Sequence, residues 1–224
     1  MKITKKIKAS GITSDVDNTL LATNSFVKDH ITRTCKRIGI VIPSAEKISK
    51  VQKKNPAFEE IFIELFGKAK GKKVLKAYRE TAPTLNYSPT PKAIEFIEKT
   101  DQLNIPVVIV TNRTKMIAER LEQAGFDANS FEDITSLDVP KPDQHAYDSA
   151  IASLNKLGSK RETILFLGDH PHDFLAVPED LKSNFYAVLT GLNEAVEFEK
   201  LGLPAENILL DIGELIDIIT RPNG

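Results

Sequence analysis

Pro106-Val107-Val108-Ile109-Val110-Thr111 is the stretch whose reading decides the fold. It is β-branched, continuously apolar and bounded by polar residues. A run without a polar face predicts a strand covered on both sides, the habit of parallel sheets. Working outward, Thr163 to Leu167 repeats the pattern and runs into Gly168-Asp169. Phe185 to Leu189 gives a third such strand and Ile208 to Leu210 a fourth. Upstream, Gly11 to Asp17 reads as a shorter strand, diluted by Thr13 and Ser14 and ending in acids. Ser130 to Thr135 is a further short candidate.

Helical patterns lie between these strands. Thr90-Pro91 offers an N-cap and a first-position proline for a helix to about Gln102. Lys115 to Ala124 ends at Gly125, and Asp143 to Leu157 ends at Gly158. Gly213 to Ile219 reads as a closing helix, and the first ten residues as a polar lead-in. Strand and helix in alternation predict an α/β fold: a Rossmann-like parallel sheet in three α/β/α layers. The stretch from Ser25 to about Glu80 breaks the alternation. Phe26, His30, Ile31, Thr34 and Ile38, then Phe58, Ile61, Phe62, Leu65 and Phe66, then Val74, Leu75 and Tyr78, recur at helical spacing. Pro43-Ser44, Asn55-Pro56 and the segment Gly67 to Gly71 punctuate it, and Pro83, Pro89 and Pro91 mark a hinge or linker at 82–91. The expected organisation is a discontinuous α/β core, 1–21 and 86–224, with an all-helical insert at 22–85.

Composition narrows the class. The 224 residues carry 30 Lys+Arg and 31 Asp+Glu, with 41% hydrophobic residues. That balance argues against a dedicated nucleic-acid binder and against a disordered chain. Cys35 is the single cysteine, so no intramolecular disulfide can form. The basic N-terminus lacks the apolar stretch of a signal peptide, and the longest apolar run, Ile105 to Val110, falls far short of the ~20 residues of a membrane span. A cytoplasmic protein, monomer or homodimer, with no membrane and no nucleic-acid partner is expected.

Ligands of open α/β sheets bind beyond the carboxyl ends of the strands, and four segments at or near such ends carry reactive groups: Asp15-Val16-Asp17-Asn18-Thr19, Thr111-Asn112, the loop Val139-Pro140-Lys141-Pro142, and Gly168-Asp169 with Asp173. Singly, each has an ordinary structural explanation: an Asx-type turn, a polar strand end, a surface lysine, a turn with a helix cap. Together they put several carboxylates in one place, which is costly without a cation. Oxygen-only ligands favour a hard divalent ion such as Mg2+. A hydroxyl, an amide and an ammonium beside it suit an anion with several oxygens. A carboxylate can serve as a nucleophile in phosphoryl transfer, and a second acid can move the proton.

On these four motifs, in this order, the sequence resembles the haloacid dehalogenase-like hydrolase superfamily over nearly its whole length. The resemblance implies Asp15 as nucleophile and metal ligand, and Asp17 as general acid/base with its backbone carbonyl on the metal. It implies Thr111, Asn112 and Lys141 as phosphate ligands, and Asp169 and Asp173 as metal ligands. The segment 22–85 is similar to the family's helical cap. Members that release a halide lack the second acid, so Asp17 points to a phosphate. The implied activity is Mg2+-dependent hydrolysis of a small phosphorylated metabolite, phosphoglycolate-like, through an aspartyl-phosphate. A phosphomutase of the β-phosphoglucomutase type and a non-catalytic protein on the same scaffold are the alternatives.

Asn18 stands where Gly is usual, at a turn that Asn tolerates. His170 and His172 read as helix-start residues, and His30 and Cys35 as packing residues of the insert. The charge also divides: residues 22–85 hold 14 Lys+Arg against 6 Asp+Glu, and the remainder 16 against 25. A basic insert beside an acidic core suggests attraction of anionic substrate.

Overall fold

The computed structural model describes residues 6–54, 57–136 and 139–222; the expected break at Asn55-Pro56 and the first five residues of the lead-in lie outside them. It divides into two compact units, Met1–Ala22 with Ser88–Gly224, and Thr23–Tyr87.

The first unit is built on a six-stranded sheet. Its strands are β2 (Gly11–Ser14), β3 (Val107–Thr111), β4 (Asp133–Ser136), β5 (Ile164–Gly168), β6 (Phe185–Val188) and β7 (Ile208–Leu209). The order is β4-β3-β2-β5-β6-β7, and every pairing is parallel. Every residue of β2, β3 and β5 is buried, as strands covered on both faces require. The chain builds outward from β2 through β3 and β4, then returns to β5 on the other side. That reversal is a topological switch point, and it opens a crevice at the carboxyl end of β2. Register fixes what meets there. Ser14 pairs with Ile109 and with Leu167, so Asp15 comes level with Val110 and Gly168.

Helices α5 (Ala93–Gln102), α6 (Ile117–Gln123), α7 (Asp148–Lys156), α8 (Pro171–Ala176) and α9 (Ala195–Glu199) complete the unit. One core cluster joins Val108 and Val110 of β3 to Tyr147, Ile151, Phe166, Phe174 and Phe185. Four local readings differ from the structure. The lead-in contains β1 (Ile7–Lys8), which pairs in parallel with β8 (Ile219–Thr220), where a helix was expected. Two short segments this far apart in sequence leave no local signal of their pairing. Asp143 to Tyr147 forms turns and α7 begins only at Asp148. Helix α5 begins at Ala93, after Lys92 in the left-handed region. Thr90 does not cap it: its hydroxyl donates to the Thr19 carbonyl at 2.6 Å. There the chain leaving the sheet at Leu20–Ala22 runs beside the chain returning at Ser88–Thr90, joined by Thr90 N–H to Leu20 O and Ala22 N–H to Ser88 O.

The second unit holds four helices among the described residues: α1 (Thr23–Ile38), α2 (Ala45–Lys53), α3 (Phe58–Phe66) and α4 (Lys68–Thr81). Their apolar stripes converge on Val27, Ile31, Cys35, Ile48, Phe62, Val74 and Tyr78. Edge-on contacts among Phe58, Phe62 and Tyr78 fasten α3 to α4. His30 is buried, with Nε2 3.0 Å from the Tyr78 carbonyl, and Cys35 is buried in the same cluster. Both pack the insert, as expected.

Candidate active site

At the carboxyl end of β2, Asp15 N–H donates to Leu167 O at 2.9 Å, so the ladder holds its backbone. The chain then turns sharply. Asn18 adopts φ 62°, and Leu20 and Leu21 N–H both return to Val16 O. Asn supplies the left-handed angle at this position with little strain.

Lys141 arrives from a loop that is clamped rather than loose. Its N–H donates to Asn112 Oδ1 at 2.9 Å, and Asn112 Nδ2 donates back to Lys141 O at 3.0 Å. The ammonium reaches Asp15 Oδ1 at 2.7 Å, Val110 O at 2.8 Å and Asp173 Oδ1 at 2.5 Å, and is 3% exposed. The other oxygen of Asp173 accepts the His170 N–H and closes a capping box at the start of α8. Two glycines make room. A Cβ on Gly168 would lie 2.4 Å from the Asp173 carboxylate, and one on Gly191 would lie 1.9 Å from Asp169 Oδ2.

Asp15, Asp169 and Asp173 each offer an oxygen within 4.8 Å of the others, and all are buried. Burial above all, then the neighbouring Asp173 and Asp17 carboxylates, pushes Asp15 up to about 7 against the opposing pull of Lys141. Burial and the charges of Asp173 and Asp15 push Asp169 well above the carboxylate range. Burial would lower Lys141, but Asp15 and Asp173 hold it well above the usual ammonium value. One ammonium cannot neutralise three ionised acids in a dry site, which is why two of them are pushed toward the protonated form. An oxygen-only donor set that would ionise fully beside a cation fits a hard divalent ion.

The expected residues do not all meet. Asp15, Lys141, Asp169 and Asp173 form one cluster, with buried Thr111 and the Asn112 clamp at the adjoining strand end. The Asp17 carboxylate lies outside the metal-competent group. It is a third exposed and pairs with Arg113, whose Nε and Nη2 donate to its two oxygens at 3.2 and 2.5 Å.

A family model described as Haloacid dehalogenase-like hydrolase matches residues 12–179, three quarters of the chain. The chain belongs to the haloacid dehalogenase-like hydrolase family. A relative named "Putative pyrophosphatase PpaX", from Caldanaerobacter subterraneus subsp. tengcongensis, is 25% identical over 178 residues, 76% of this chain and 77% of that protein. Among solved structures, a "putative beta-phosphoglucomutase" from Thermotoga maritima superposes with a TM-score of 0.71 at 18% identity, over 93% of this chain and 97% of its own. A "putative phosphoglycolate phosphatase" from Lactobacillus delbrueckii subsp. bulgaricus gives 0.64 at 16% identity, over 93% and 96%. At these identities the structural likeness speaks for the fold.

Within this hydrolase family framework, residues outside the four motifs also shape the site. Asn193 Nδ2 donates to Asp169 O at 3.3 Å, and the Thr190 hydroxyl donates to Asn18 O. Thr190, Gly191 and Asn193 follow β6, and Arg113 follows β3. The rule that ligands sit beyond strand carboxyl ends would have marked all of them; their residue types alone do not. His170 caps α8, its Nδ1 accepting the His172 N–H at 3.1 Å, and burial lowers its pKa to about 4. Both histidines are thus helix-start residues.

Proposed function

We propose that this chain is a Mg2+-dependent phosphatase of small phosphorylated compounds, phosphoglycolate-like phosphomonoesters among them, working through an aspartyl-phosphate. The observation that carries the reading is the buried Asp15–Asp169–Asp173 group with Lys141 bonded to two of its members. Asp15, Asp169 and Asp173, with the backbone carbonyl of Asp17, would hold the cation, whose positive charge would offset that of the acids and the incoming phosphoryl oxygens. Lys141, the Thr111 hydroxyl and the backbone N–H of Asn112 bind those oxygens. An Asp15 oxygen attacks phosphorus and forms the acyl-phosphate bond as the ester oxygen departs. Asp17 gives that oxygen a proton, then takes one from the water that releases inorganic phosphate. The basic charge of 22–85 and the relatives' printed phosphatase and pyrophosphatase names agree with an anionic phosphorylated substrate. The test is release of inorganic phosphate from a panel of phosphomonoesters, with Mg2+ and with chelator. Chelator-insensitive turnover, or near-normal turnover by a folded D15N variant, overturns it; isomerisation of a sugar phosphate without release favours a mutase.

A further inference from the structure

Arg113 has no place in the scheme above, yet it is the cation joined to the proposed acid/base. It follows Thr111 at the end of β3, and its N–H donates to the Thr111 hydroxyl at 3.2 Å. Its guanidinium grips both oxygens of Asp17, with 16% of the side chain exposed. Asp17 is the proposed proton donor to the leaving oxygen. The guanidinium fork that holds it matches any carboxylate or phosphate oxygen pair. The leaving group has to lie against Asp17, and therefore beside Arg113. Lys141 is fully occupied among Asp15, Asp173 and Val110 O, so it can offer little to a second charge on the substrate.

We infer that Arg113 is a specificity-determining residue that binds a second anionic group on the leaving portion of the substrate, a carboxylate or a second phosphate. The substrate's anion takes up the guanidinium fork that Asp17 occupies in its absence. No bond is made or broken at Arg113; one ion pair exchanges for another. The substrate class is a phosphoryl compound with an anion within a few bonds of the scissile oxygen. Such a compound gains in kcat/KM through this added contact to its leaving portion. This inference rests on the reading of Asp17 as acid/base.

The test uses binding and turnover together. Phosphonoacetate, which carries a carboxylate beside its phosphonate, is compared with methylphosphonate, which lacks one, by calorimetry with Mg2+ on wild type and R113Q. Wild type should prefer phosphonoacetate by about tenfold or more, the size of one charge-assisted bidentate contact, and R113Q should lose most of that preference. In turnover, R113Q should lose kcat/KM for phosphoglycolate while ethyl phosphate, whose leaving oxygen needs a proton as much but which carries no second anion, is spared. Equal affinity of wild type for the two phosphonates overturns the inference, as does an R113Q loss equal for both esters, which would make Arg113 only a positioning residue for Asp17. A binding preference that R113Q abolishes, in a protein that hydrolyses nothing, would overturn the phosphatase reading and leave the anion subsite standing.

Discussion

Two ion pairs in this molecule have the same length and different surroundings. Lys141 meets Asp15 at 2.7 Å in the core unit, with side-chain exposures of 3% and 9%. Lys54 meets Glu64 at 2.7 Å in the helical unit, with exposures of 57% and 37%. Water screens the second and supplies alternative partners to each member, so it contributes little. The first has no water to fall back on, and loss of Lys141 leaves buried carboxylates without their counter-charge. The core unit has exposed pairs too, Arg161–Asp180 and Lys92–Glu95 among them, but it also buries a constellation with perturbed protonation. In the helical unit, Arg37–Glu80 and Arg79–Glu59, like Lys54–Glu64, stand in solvent. Distance alone does not tell the two uses apart; burial does.

The largest effect is expected at Asp15. D15N removes the proposed nucleophile and should lower kcat by a factor of about a thousand or more while the circular dichroism spectrum stays native. Next, K141M strands Asp15 and Asp173 and should cost about 3 kcal/mol or more in urea denaturation without Mg2+, the scale of a broken buried pair. A loss near that of an exposed pair would end the distinction drawn here. Third, G191A drives a methyl into Asp169 and should weaken Mg2+ binding about tenfold or more, the usual effect of disturbing a ligand's support, with a much smaller change in unfolding free energy.

The fourth test is pH. Asp15 in the folded, metal-free protein has its pKa raised to about 7 from 3.8. The folded state therefore holds a proton that the unfolded chain releases, and this contribution to stability is complete below 3.8 and fades as pH rises towards 7. Asp169 is shifted in the same direction. In the proposed holoenzyme Mg2+ would take the place of those protons, so its thermal shift should be several degrees larger at pH 8 than at pH 5; a shift independent of pH would contradict it. Smallest of all, K54M should change stability by no more than about 0.5 kcal/mol in the same denaturation series.

The sheet strands were legible because β3 is apolar from Val107 to Val110 and β5 from Ile164 to Leu167, and burial on both faces leaves that mark on a sequence. The reactive groups were legible because parallel strands present their carboxyl ends together, which brought Asp15, Lys141 and Asp169 to attention before any geometry was known. Thr90 misled because its hydroxyl serves Thr19, 71 residues away, instead of the helix it precedes. The β1–β8 pairing lay hidden because each strand is two residues long and its partner is at the far end of the chain. Arg113 went unread because a single arginine after a strand looks like any surface cation until its carboxylate partner is seen.

Asn112 has one more consequence. Its carboxamide exchanges a donor and an acceptor with the backbone of Lys141, as one peptide group does with the next in a ladder. The side chain thus acts as a borrowed rung, and the loop that bears the ammonium is gauged from β3 and not from its own flanks. Insertions or deletions earlier in that loop should leave the ammonium where it is, whereas shortening Asn112 by replacing it with Ser would free it to wander with every substituent intact.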